Sequence, residues 1–160
     1  MVKLLGMLSV FTASSVMGFI MAGELGERTK MLKDIYQSAT HIKSELEYRG
    51  ADICDCFNRR GKLFSIAYKY IKSEGLLPAD ALKKAADEAV HLKATDRTVI
   101  AAYADNLKVE DLGGQLANVR LFLENLRLCI QDAEEEYRSK NRLYKSGGAI
   151  AGLGFIILLL

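Results

Sequence analysis

Two histidines, three cysteines and a run of carboxylates are the side chains with which this chain could do chemistry. His41 and His91 lie far apart in sequence with no His-x-x-x-His step between them, so they do not make a helical metal site. Cys54, Cys56 and Cys129 are odd in number, and a Cys-x-Cys pair with no second pair is not a zinc spacing. A thiol nucleophile could in principle meet His41 in space through Cys54 or Cys129. Nothing in the local sequence favours that pairing, and free cysteine is most often a small buried hydrophobe. Asp132, Glu134, Glu135 and Glu136 lie along a predicted helix without the glycine of a metal-binding loop. They read as a solvated face, partly paired with Arg138 and Lys140 at helical spacing. Gly61-Lys62 lacks the upstream glycine of a phosphate loop and precedes Leu63 rather than Ser or Thr. The expectation is a protein that is not an enzyme, with no cofactor, no metal and no small-molecule substrate.

The elements that would position any site begin and end in apolar sequence. Residues 4–23 carry no charge and neither do residues 146–160. About 20 apolar residues suffice to cross the roughly 30 Å hydrocarbon layer as a helix, and the backbone there must satisfy itself internally. The expected organisation is an N-terminal transmembrane helix over 1–23, a helical domain over 24–145 and a C-terminal transmembrane segment over 146–160. The last is short, and counted from Leu143 it reaches about 27 Å if Lys145 snorkels. The first run is too long for a signal peptide, and Ile20 and Met21 do not suit a cleavage site, so retention is expected. Arg28, Lys30, Lys33, Arg138, Lys140, Arg142 and Lys145 flank the apolar segments on the domain side against Lys3 on the other, which predicts a cytoplasmic domain. With a net charge of +2 for the whole chain, no overall field favours nucleic acid. Reduced thiols fit a cytoplasmic setting.

Between the apolar ends, apolar residues recur at steps of three and four, and Pro occurs once, at Pro78. The predicted fold is all-α with about six helices, broken near Gly50, Gly61, Gly75, a cap at Thr95 and Asp96, and the 108–114 region. Leu32, Ile35, Ala39, Ile42 and Leu46 form a heptad stripe after the first apolar segment. Leu112, Leu116, Val119, Leu123, Leu126, Ile130, Ala133 and Tyr137 form another before the last. Two helices leaving one membrane face run antiparallel, so these stripes predict a long helix pair with core residues Leu32, Ile35, Ile42, Leu46, Leu123, Leu126 and Ile130. Equal rise from Glu24 and Ser146 sets residue i beside a position near about 170 minus i. The shorter helices, with faces at Phe64, Ala67, Tyr68 and Ile71, at Ala81, Ala85 and Ala89, and at Val99, Ile100, Tyr103 and Leu107, are expected to pack on the distal half of the pair. In the apolar segments, Gly148 and Gly152 make a Gly-x-x-x-Gly step, and Ser14, Gly18 and Ala22 a small-residue stripe. Both suit close helix packing in lipid, within one chain or among copies.

The order of these pieces resembles a known family. Met1-Val2-Lys3-Leu4-Leu5-Gly6, Gly18-Phe19, the Arg28–Leu32 exit, Glu45-Leu46-Glu47-Tyr48, Asn106-Leu107, Glu110-Asp111, Gln115 and Arg142-Leu143-Tyr144-Lys145 are similar to stage III sporulation protein AB. The resemblance covers essentially the whole chain. It implies a scaffold of the channel, or feeding tube, built across the two membranes around a developing endospore, akin to the platform proteins of type II secretion. It further implies a place on the mother-cell side, in the outer forespore membrane, with the helical domain in the cytoplasm. The implied partners are a secretion-type ATPase, stage III sporulation protein AA, and other channel proteins of the set. The residues alone leave open a membrane-anchored adaptor or sensor that dimerises through Leu123 and Leu126, and a thiol enzyme.

Overall fold

The structure is a computed structural model. It describes the backbone of residues 2–50, 53–58, 60–108 and 111–159, and the side chains of 26–50, 53, 55–58, 60–108 and 111–140. The described residues form helices α1 (Val2–Arg49), α2 (Ile53–Phe57), α3 (Lys62–Glu74), α4 (Pro78–Glu88), α5 (Ala94–Asp105) and α6 (Leu112–Leu159), with a 3-10 turn at Asn106–Lys108. No strand occurs among them. The fold is all-α, with two 48-residue helices, α1 and α6, and four short ones. Both apolar termini are helical in backbone where described, as parts of α1 and α6. Their side chains, including those of Ser14, Gly18, Ala22, Gly148 and Gly152, lie outside the described residues. Among the residues whose side chains are described, no helix is long and apolar enough to cross a membrane.

The breaks have local causes. Gly50, Gly61 and Gly75 have φ of 55°, 50° and 67°, the left-handed region that costs a residue with a Cβ. Pro78 occupies the first turn of α4, where its missing N–H costs no hydrogen bond. The start of α5 corrects the expected cap: Lys93 is the N-cap, and buried Asp96 accepts its backbone N–H at 3.0 Å. Thr95 instead sits within the first turn, because only the third helical position lets a carboxylate reach back to the N-cap amide. At the start of α6, Asp111 accepts the Gly114 N–H at 2.7 Å, the usual cap geometry.

The backbone divides into two compact units, Met1–Arg28 with Asp132–Leu160, and Thr29–Gln131. In the second unit, Leu32, Ile35, Ile42 and Leu46 of α1 are all 0% exposed. Each such side chain contributes roughly 1.5–3 kcal/mol by leaving water. The turn into α3 docks on α1: the Lys62 N–H donates to Asp34 at 2.9 Å, and Arg60 pairs with Glu45. Gly61 permits that approach, since a Cβ there would lie 2.3 Å from Ser38 Oγ. Phe57 and Phe64 meet at 5.1 Å between ring centroids, and both are fully buried. Helix α3 faces α4 through a surface network in which Lys84 binds Glu74 at 2.8 Å and lies 4.3 Å from the centre of the Tyr70 ring. The Tyr70 hydroxyl donates to Glu88, and that bond holds the phenol above its ordinary pKa.

Candidate functional site

The contacts that could carry function lie on α1 and α6. In the first unit, Arg28 is 4% exposed. Its Nη1 donates to Asp132 Oδ2 at 3.1 Å and to Glu136 Oε2 at 3.0 Å, and its Nη2 to Asp132 Oδ2 at 3.0 Å. Lys140 Nζ donates to the other oxygen of Glu136 at 2.5 Å, one turn along α6. Two carboxylates on one guanidinium offset its desolvation; the Glu136 side chain is 15% exposed and the Asp132 side chain 67%, so Glu136 is the buried partner and water screens the Asp132 pair. The helices also come close beside this group: a Cβ on Gly26 would stand 3.6 Å from Tyr137 Cε2. Helical spacing predicts Asp132 and Glu136 on a solvated face, partly paired along their own helix. The Lys140 pair follows that pattern; the pairing to Arg28 does not. Burial of an arginine is not visible in residue type, and by sequence Arg28 is one more juxtamembrane cation.

In the second unit α6 turns a different face inward from the one its leucines suggested. Leu126 is 0% exposed and Val119 1%, as expected, whereas Leu123 and Ile130 are half-buried. Phe122 and Cys129, one residue earlier in each case, take the buried positions. The reason is that α6 serves α5 as well as α1. Phe122 stacks on Tyr103 with centroids 4.2 Å apart and planes 7° from parallel, and Asn118 Nδ2 donates to the Tyr103 carbonyl at 3.1 Å. Tyr103 is buried, its hydroxyl has no hydrogen-bond partner, and burial pushes its pKa well above the phenol range. Leu112 and Tyr137, also in the expected stripe, are exposed.

The pairing register also differs. Arg28 meets Asp132 and Glu136, Gly26 lies against Tyr137, and Arg120 reaches Glu47 at 3.7 Å. Against the equal-rise register these pairs are displaced by roughly one to two helical turns or more. Contacts between side chains, the Arg28 pairs among them, set the register rather than a common level for Glu24 and Ser146.

The residues with catalytic potential are dispersed. His41 and His91 are exposed, Cys56 and Cys129 are buried, and the Cys54 side chain lies outside the described residues. Glu88 and His91 form a Glu-x-x-His step, against the expectation that the chain holds no such spacing. However, α4 ends at Glu88, so they do not share a helical turn, and Glu88 accepts the Tyr70 hydroxyl. Among the described residues no three His, Cys, Asp or Glu side chains are grouped to hold a metal ion.

Fold and contacts together define an all-helical protein of two long helices and four short ones, in which α1 and α6 are joined by the ion pairs of Arg28 and α5 and α6 by the Tyr103–Phe122 stack. The chain belongs to the stage III sporulation protein AB family, whose family model matches residues 3–160. It is 24% identical over 174 residues to Stage III sporulation protein AB of Bacillus subtilis (strain 168), covering 100% of both chains. It is also similar to the solved structure of a stage III sporulation protein AB, with a TM-score of 0.59 and 16% identity over 69% of this chain and 96% of that one. The structural likeness speaks to the fold; the family match places the chain among sporulation proteins.

Proposed function

We propose that this chain is a membrane-anchored scaffold of the channel built during endospore formation, a platform-like protein that couples a secretion-type ATPase to a membrane ring. The observation that carries the reading is the family match over residues 3–160, which includes both apolar segments as well as the helical region between them. Both segments hold the chain at the bilayer, in the outer forespore membrane on the mother-cell side, and the helical domain faces the cytoplasm. Its partners are stage III sporulation protein AA, other proteins of the same set, and the lipid itself. The alternative, an adaptor that dimerises through Leu123 and Leu126, is less well supported. Leu126 is already fully buried within the chain, so such a seam would require the domain to open. The test is capture of the tagged, detergent-solubilised protein from sporulating cells, with its companions identified by mass spectrometry. Recovery of the ATPase and channel proteins is expected; their consistent absence would overturn the scaffold reading.

A further inference from the structure

On α1 the buried heptad phase is set by Leu32, Ile35, Ala39, Ile42 and Leu46, and on α6 Phe122 and Cys129 share one position of the corresponding phase. Arg28 stands seven residues before Ile35, and Glu136 seven after Cys129. Each helix therefore puts a charge where its own repeat asks for an apolar side chain. A lone polar layer in an apolar seam specifies register at some cost in stability.

We propose that Arg28, with Asp132 and Glu136, is a register lock that admits one axial pairing of α1 with α6 where these helices enter the apolar termini. An apolar seam displaced by one heptad still sets apolar residues against apolar residues, so the seam alone selects weakly. The polar layer selects strongly. A slide of α6 by seven residues replaces Asp132 and Glu136 with Asn125 and Cys129, or with Ser139 and Leu143, and none of these is a carboxylate. The guanidinium, whose side chain is 5% exposed, then loses the Asp132 and Glu136 carboxylates that it meets in the observed pairing. The lock fixes how far one helix can move along the other, whatever partner acts on either.

Cysteine cross-linking of the full chain in membranes tests this. Gly26→Cys with Tyr137→Cys reports the observed register, and Gly26→Cys with Ile130→Cys or Tyr144→Cys reports registers one heptad away. With Arg28 present, the 26–137 product dominates. Arg28→Leu is expected to leave a helical, folded chain by circular dichroism while raising the displaced products several-fold relative to 26–137. An Arg28→Leu chain that folds and still gives only the 26–137 product overturns the lock. Should the leucine variant not fold, Arg28→Glu combined with Asp132→Arg and Glu136→Arg decides the matter. Restoration of the 26–137 product by the swapped charges supports the lock, and failure to restore it overturns it.

Discussion

The Tyr103 ring lies flat on Phe122, centroids 4.2 Å apart, while its buried hydroxyl donates to nothing. Those two facts have opposite consequences for stability. The stack joins α5 to α6, and Phe122→Ala should cost about 3–5 kcal/mol. Tyr103→Phe keeps the stack and removes an unsatisfied polar atom, so it should be neutral or stabilising by up to about 1 kcal/mol. Denaturant midpoints of the purified variants measure both, and a large loss in Tyr103→Phe would show that the hydroxyl is paired.

The same residue sets an alkaline limit. Burial raises the folded pKa of Tyr103 above its ordinary value of 10.0, so the folded state holds the phenolic proton more tightly than the unfolded state does. Its contribution is then intact below about pH 10 and is lost as pH rises toward the folded pKa. Stability measured from pH 8 to 11 should fall more steeply for the parent chain than for Tyr103→Phe. Equal slopes would remove Tyr103 as a source.

Glycine substitutions should separate strain from contact. At Gly75, with φ of 67° and nothing within 4 Å of an added Cβ, alanine meets only the left-handed backbone cost of about 1–2 kcal/mol. At Gly61 the same cost is joined by overlap with Ser38 Oγ and Asp34 Oδ2, at 2.3 and 2.7 Å, where the turn into α3 docks on α1. Gly61→Ala should therefore lower the thermal midpoint more than Gly75→Ala, and the reverse order would place the docking contact elsewhere.

Acidic substitutions along α6 should report which face is core. Leu126 is 0% exposed and Leu128 63%. Leu126→Asp buries a charge without a partner and should cost several kcal/mol, enough to unfold a domain of ordinary stability, about 5–15 kcal/mol. Ile42→Asp should do the same from α1. Leu128→Asp should stay within about 0.5 kcal/mol of the parent. Circular dichroism melts of the three would expose any error in the assignment of the buried face.

Topology mapping addresses the proposed anchoring. Reporter or thiol labels at Lys62 and Asp96 should be reached from the cytoplasm, and a label at Met1 from the other side. An outward Asp96 would exclude contact with a cytosolic ATPase.

The sequence by itself determined the helical class, the uncharged ends, and α1's buried stripe from Leu32 to Leu46, because the apolar side chains that α1 buries there all fall on one three-four repeat. The family was legible too, in ordered short motifs that span the chain. Tertiary structure decided what depends on two elements at once. Leu123 and Ile130 satisfy the repeat as well as Phe122 and Cys129 do, and only the position of Tyr103 on α5 shows which pair faces inward. Arg28 reads as one more basic residue until α6 brings Asp132 and Glu136 to it. Periodicity reports how a helix meets one neighbour; a helix shared between two neighbours, or a charge matched across about a hundred residues of chain, is fixed by packing and electrostatics that act only in the folded molecule.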